Sequence, residues 1–389
     1  MAALDHELER DLARLLKHYA ALSPSSPTLI PSPPFPAARD LSTPAAQQWL
    51  VDHLLPHDRA QEEGARGWKK AFWRRVVKGI EVGFEERRAQ GDEAVEDEET
   101  HPDLLETMVD FLSSSSAAGS ATADGAAPGV SRRVYYYGDL AQPVERWRSI
   151  VTREEGRLIS GGTTGLRTWQ ACVALSNHLL ANPAVVQPHN RILELGAGVG
   201  LLSLVCAKLS ATTRITATDV DEKVLEILEA NIAENGLQDR VRARSLDWEW
   251  APDPPRGSTT ELDQWEAAVW GESGLNAQKR DGRASLILGA DIVYDPSLVG
   301  PLSATLAWLL RSLSSDASAC PTAEALIAGT VRNEQTWSVF LDACRNRDLR
   351  VESVEMDSLE GGGIVGAEGW EGEGEVRLVR ISARGVAEA

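Results

Sequence analysis

Apolar positions in the first ninety residues recur at helical spacing. Leu8, Leu12, Leu15 and Leu16 make one face of a helix predicted over residues 4–22. A proline-rich connector, Ser23 to Pro36, interrupts the pattern. A second helix is expected near Ala45 to Leu55. A third, Ala65 to Arg88, carries Trp68, Phe72, Trp73, Val76, Val77 and Ile80 at core-face spacing. The acidic run Gly91 to Thr100 reads as a solvated loop. Residues 113–131 are rich in Ser, Ala and Gly and almost uncharged, the composition of a mobile linker.

Beyond Arg132 the period changes. Val134 to Tyr137 and Ser149 to Thr152 look like short strands, and a helix is expected over Leu166 to Leu180. Strands then alternate with helices. Arg191 to Glu194, Arg214 to Asp219, Val241 to Leu246, Ser285 to Leu288 and Ala325 to Gly329 read as strands. Helices are expected up to Leu209, over Glu222 to Glu234, around Leu298 to Leu313 and near Thr336 to Arg345. Such alternation predicts a mostly parallel, doubly wound sheet. The last two strands, Arg350 to Glu355 and Glu375 to Ile381, are joined by a Gly-rich stretch without a helix. They predict a hairpin, so the last strand runs antiparallel to the others. Ala251 to Asp281 is long, polar and Pro/Gly-rich, an irregular insertion. The expected layout is a helical N-terminal region over 1–112, a linker over 113–131 and an α/β domain over 132–389.

Composition narrows the class. The 389 residues are 43% hydrophobic and carry a formal charge of −19. That charge disfavours direct nucleic-acid binding, which needs a basic footprint. No apolar run approaches the roughly 18–20 residues that span a bilayer, and the first residues lack the basic and apolar regions of a secretory signal. Cys172, Cys206, Cys320 and Cys344 fall in no metal or redox spacing. The expectation is a monomer of the reducing cytoplasm, with neither metal nor membrane.

The candidate chemistry lies at strand ends. Arg191-Ile-Leu-Glu-Leu-Gly-Ala-Gly-Val-Gly200 is an apolar run entering a glycine turn, with a helix after it. Gly196, Gly198 and Gly200 allow close backbone approach to a ligand. They do not keep the spacing of a dinucleotide fingerprint. Glu194 before the turn would repel a pyrophosphate and tolerate a cationic ligand. Asp219, ending the next strand, can accept both hydroxyls of a ribose, and Asp221 is the better helix cap. Asp247 and Trp248 offer a polar contact and an aromatic wall to an adenine. Asp291 and Tyr294, in Gly289-Ala-Asp-Ile-Val-Tyr294, end a strand on the ligand side of the sheet. Each has a plain packing or capping alternative: a tight turn, a capping Asp, a buried aromatic.

Five segments in order resemble one family: Thr163-Thr-Gly-Leu-Arg-Thr-Trp169, Leu193-Glu-Leu-Gly-Ala-Gly198, Leu246-Asp-Trp248, Ala290-Asp-Ile-Val-Tyr294 and Thr330-Val-Arg-Asn333. They are similar to the family-16 seven-β-strand methyltransferases, and within these to the protein-lysine methyltransferases of translation elongation factor 2. The resemblance covers about residues 130–385. It implies a seven-stranded Rossmann-like sheet, last strand antiparallel, with a helical N-terminal extension. It implies S-adenosyl-L-methionine as cofactor and a protein substrate, elongation factor 2. Trp169, Gly196, Ala197, Gly198, Asp219, Trp248 and Ala290 match its cofactor-contacting positions. Asp291 and Tyr294 match its Asp-x-x-Tyr/Phe motif beside the acceptor lysine. Gln170 departs from the acidic residue common after the tryptophan, and the insertion after Trp250 is a second departure. A small-molecule methyltransferase and a non-catalytic cofactor-binding adaptor remain the alternatives.

Overall fold

The structure, a computed structural model, describes residues 4–24, 27–30, 35–58, 65–113, 129–155, 164–250, 285–314, 323–357, 359, 362–365 and 374–384. Most of the expected linker, all of the insertion 251–281, Thr163 and Cys320 lie outside them. The chain divides into two compact units, one of residues 1–158 with 360–370, the other of 159–359 with 371–389.

The first unit is built from α1 (His6–Ala21), α2 (Ala38–Leu41), α3 (Pro44–His53), α4 (Arg66–Ala89), α5 (Pro102–Ser113) and an antiparallel pair, β1 (Val130–Tyr137) and β2 (Arg148–Glu155). The predicted apolar faces form its core: Leu12, Leu15 and Leu16 of α1 meet Phe72, Trp73, Val76 and Ile80 of α4. Each fully buried side chain of this size contributes about 1.5–3 kcal/mol. The Trp73 indole N–H donates to the Tyr19 hydroxyl at 2.9 Å, so the two polar tips are satisfied inside the core. Two short helices, α2 and α5, escaped the sequence reading. Gly83 explains how α2 fits: a Cβ there would stand 2.0 Å from the Ala38 carbonyl oxygen, so α4 approaches α2 at backbone contact. The acidic run is tied down rather than wholly solvated. Arg87 pairs with Asp92 at 2.8 Å and with Glu98 at 2.5 Å, over a buried Val95. The β1–β2 hairpin groups with these helices. The start expected at 132 for the α/β domain therefore falls inside the first unit.

The second unit carries the sheet: β3 (Arg191–Leu195), β4 (Arg214–Asp219), β5 (Val241–Ser245), β6 (Leu286–Ala290), β7 (Glu324–Val331), β8 (Leu349–Val354) and β9 (Glu375–Ala383). Among the described residues it is seven-stranded in the order β5-β4-β3-β6-β7-β9-β8. The strands β3 to β7 pair in parallel, and β9 lies antiparallel between β7 and β8, as the missing helix predicted. The helices are α6 (Gln170–Ala181), α7 (Leu201–Leu209), α8 (Glu222–Glu234), α9 (Val299–Ser314) and α10 (Glu334–Arg345). Leu193, Leu195, Ile287, Ile327 and Val379 face α9 and α10 in one core. Strand order reverses between β4–β3 and β3–β6, the switch point at which open sheets bind ligands.

One boundary moved for a tertiary reason. The predicted helix over Leu166 to Leu180 begins only at Gln170, because Trp169 is extended (φ −103°, ψ 163°). The carboxylate that meets the first turn of α6 belongs to Asp291, 120 residues further along the chain.

Candidate active site

A cavity of about 410 Å³ opens at the carboxyl ends of β3, β4, β5 and β6. Most residues singled out from the sequence line it, whereas Gly200 and the segment Thr330 to Asn333 do not. Trp169 comes from the start of α6. Glu194, Gly196, Ala197 and Gly198 come from β3 and its turn, and Asp219 from β4. Asp247 and Trp248 follow β5, while Ala290, Asp291 and Tyr294 belong to the end of β6 and beyond.

The glycine turn is built as the pattern predicts. Gly196, Gly198 and Gly200 have φ of +63°, +53° and +92°, values that L side chains rarely adopt. Space is short as well: a Cβ on Gly200 would lie 2.3 Å from Leu228 Cδ1, and one on Gly196 2.7 Å from Ile292 Cγ2. The turn is held from β4. The Ala197 amide donates to the Thr218 carbonyl at 2.7 Å, and the Gly198 amide to Asp219 Oδ2 at 3.1 Å. Asp219 Oδ1 also accepts the Val220 and Asp221 amides at 2.8 and 3.2 Å. Burial pushes the Asp219 carboxyl above its usual range, and these amides oppose that shift. Asp221 caps α8, accepting the Val224 amide at 3.1 Å.

Glu194 behaves differently from its charged reading. Its side chain is buried, hydrogen-bonded with the Ser203 hydroxyl, and burial pushes its pKa up to about 8. Burial therefore favours its protonated form, which weakens the repulsion of a pyrophosphate expected from Glu194. The acidity of the cavity comes from Asp219, Asp221, Asp247, Glu249, Asp291 and Asp295, against one lining arginine, Arg167. That imbalance still suits a cation.

Trp248 packs on the core beside the turn; a Cβ on Gly196 would approach its ring edge at 3.5 Å. Asp247 accepts the Glu249 amide at 2.9 Å, which shapes the turn after β5. Trp169 donates its indole N–H to the Thr164 carbonyl at 2.9 Å. Two guanidiniums, Arg167 and Arg332, stand 5.0 and 5.2 Å from its ring.

Asp291 is the most constrained member. It has φ +55°, left-handed for a residue with a Cβ, and its side chain is 5% exposed. Its Oδ2 accepts the Ala171 amide at 2.9 Å and the Thr330 hydroxyl at 3.1 Å. Its Oδ1 accepts the Thr330 amide at 2.8 Å and lies 3.5 Å from Arg332. Tyr294 is 54% exposed at the mouth of the cavity. The two motif residues are thus unlike: a buried tie and an open aromatic.

Sequence reasoning passed over Arg167, Cys172, Glu249, Asp295 and Arg332. The two arginines sit inside segments already noted for their pattern. Glu249 and Asp295 each follow a strand end by a few residues, which placed them on the same rim. Cys172 lies in the first turn of α6, just after Trp169, and lines the same cavity.

The residues fit S-adenosyl-L-methionine on observed grounds. The glycine turn leaves no room for side chains where backbone meets cavity, and the lining is strongly acidic toward a sulfonium and an ammonium.

Comparison with known proteins agrees. A family model described as lysine methyltransferase matches residues 159–264. The protein-lysine N-methyltransferase EFM3 of Chaetomium thermophilum is 31% identical over 260 residues, covering 67% of this chain and 70% of that protein. The human protein-lysine N-methyltransferase EEF2KMT is 31% identical over 204 residues, covering 52% of this chain and 57% of its own length. The EFM3 protein of Saccharomyces cerevisiae is 28% identical over 226 residues, covering 54% of this chain and 58% of that protein. With the parallel sheet, the glycine turn and the acid-lined cavity, these similarities place the chain in the family of protein-lysine N-methyltransferases.

Proposed function

We propose that this chain transfers a methyl group from S-adenosyl-L-methionine to a lysine of translation elongation factor 2, in the cytoplasm. The observation that carries the reading is the acid-lined cavity that gathers four of the five motif segments at the switch point of the sheet, with the fifth, Thr330 to Asn333, bonded to Asp291 at its edge. The name EEF2KMT on the human relative supports the choice of acceptor.

The bound cofactor supplies an activated methyl on a positively charged sulfur. The glycine turn and Asp219 would hold the amino-acid and ribose portions, and Trp248 with Asp247 would hold the adenine. Trp169 and Ala290 would close the cavity around the reacting end. An acceptor lysine attacks only as the neutral amine. With a free pKa near 10.4, neutralising it at pH 7.4 costs roughly 4 kcal/mol. The apolar surroundings of Ile292 and Leu298, with the Tyr294 ring at the mouth, would desolvate the amine and lower that cost. Asp291 would help to orient the amine. Its three hydrogen bonds to protein leave it little further acceptor capacity, so its larger part is to fix the geometry. Alignment at attack distance then supplies much of the acceleration.

The deciding experiment is mass spectrometry of elongation factor 2 from cells lacking this protein. Loss of methylation at one lysine is expected. An unchanged pattern would remove elongation factor 2 as the acceptor and leave the enzyme class standing.

A further inference from the structure

Two sequence segments converge on the carboxylate of a third. Asp291, from the segment after β6, receives the Ala171 amide from the first turn of α6, just behind Trp169. It receives the Thr330 amide and hydroxyl from the end of β7. Arg332 lies just past the end of β7, where its amide donates to the Thr330 carbonyl at 2.9 Å in a tight turn. Its guanidinium completes the junction, 3.5 Å from Asp291 Oδ1 and 5.2 Å from the Trp169 ring.

We propose that Arg332 is a positioning residue for methyl transfer, locking Trp169 on the cofactor side to Asp291 on the acceptor side. The proposal rests on the cavity being a lysine methyltransferase site. A guanidinium suits the task. Its planar fork can pair with a carboxylate while its face or edge lies against an indole, whereas an ammonium is a compact point charge. Asp291 needs such restraint, since its left-handed backbone is unfavourable for a residue with a Cβ.

The contact contributes little to stability. Arg332 is 37% exposed, and an ion pair of that exposure is worth on the order of 1 kcal/mol or less. What it restrains is position. A misplacement of about 1 Å at a reacting centre can cost on the order of a hundredfold in rate. A stability effect and a positioning effect therefore separate.

The test compares Arg332→Gln and Arg332→Lys with the full-length wild type. Four quantities are read: melting temperature, affinity for S-adenosylhomocysteine by calorimetry, kcat and KM for the protein acceptor, and amide hydrogen exchange of the Ala171 segment without ligand. The glutamine variant is expected to keep its melting temperature and its acceptor KM. Its kcat should fall by about tenfold to a hundredfold, and exchange at Ala171 should quicken. The lysine variant should regain only part of kcat. Wild-type kcat in the glutamine variant overturns the proposal, as do parallel losses of stability, affinity and kcat. If the wild type methylates no lysine while exchange at Ala171 still quickens in the variant, the reading of function fails and the lock stands.

Discussion

Glu194 and Ser203 share a buried hydrogen bond between the end of β3 and the first turn of α7, and burial holds the Glu194 pKa at about 8. The unfolded value is near 4.5. A carboxyl raised on folding stabilises fully below its unfolded pKa, and that contribution is lost as pH rises through the folded one. The window is therefore pH 4.5 to 8, in which the native chain keeps a proton that the unfolded chain has released. Stability from this group should fall by about 1.4 kcal/mol per pH unit there. Urea unfolding of the ligand-free protein at pH 5 and pH 8 should show a smaller difference in Glu194→Gln than in the wild type. An equal difference in both would show that Glu194 titrates near its ordinary value.

Asp219 carries two duties, bracing Gly198 and, in the proposed site, holding a ribose. Asp219→Ala should weaken S-adenosyl-L-methionine binding by about 1.5–3 kcal/mol, roughly tenfold to a hundredfold, as expected for hydrogen bonds to a charged group. Calorimetry reads the affinity directly. An unchanged value removes the ribose role.

Asp291→Ala orphans the Ala171 amide and both Thr330 donors. It should abolish methyl transfer and also lower stability, by about 2–4 kcal/mol. Asparagine keeps a carbonyl acceptor and tolerates the left-handed backbone better. Asp291→Asn should therefore lose activity with a much smaller loss in urea midpoint. Full activity in the asparagine variant would separate the carboxylate charge from catalysis.

Two glycines with positive φ separate backbone strain from crowding. At Gly236 (φ +66°) a Cβ would meet nothing within 4 Å, whereas at Gly200 it would collide with Leu228. Gly236→Ala should cost about 1–2 kcal/mol, the left-handed penalty alone. Gly200→Ala should cost clearly more and lose cofactor binding, because the turn must shift. Equal unfolding midpoints for the two variants would contradict the crowding.

Much of this was legible along the chain. The apolar faces of α1 and α4, the order of strands and helices from Arg191 onward and the closing hairpin all follow from local periodicity. So does the glycine turn, because three alternate glycines between an apolar run and a helix-forming stretch mark a turn that other residues would strain. The sequence pattern missed α2 and α5. Two of the four residues of α2 are polar or charged, and its packing depends on Gly83, over forty residues away. α5 presents Leu105, Val109 and Leu112 outward, which blurs its apolar face.

The candidate site divides along the same line. The sequence by itself determined which residue types gather at strand ends, because parallel strands deliver their carboxyl ends to one edge of a sheet. Only the tertiary structure decided their charge states and duties. Glu194 reads as an anion in the sequence and has its protonated form favoured in the fold, since desolvation acts through surroundings contributed by distant segments. Asp291 reads as a strand-end carboxylate on the ligand side of the sheet, and the fold adds its hydrogen bonds to α6 and β7 and its ion pair with Arg332. Hydrogen bonds between residues 39 and 120 positions apart leave no local periodicity to read.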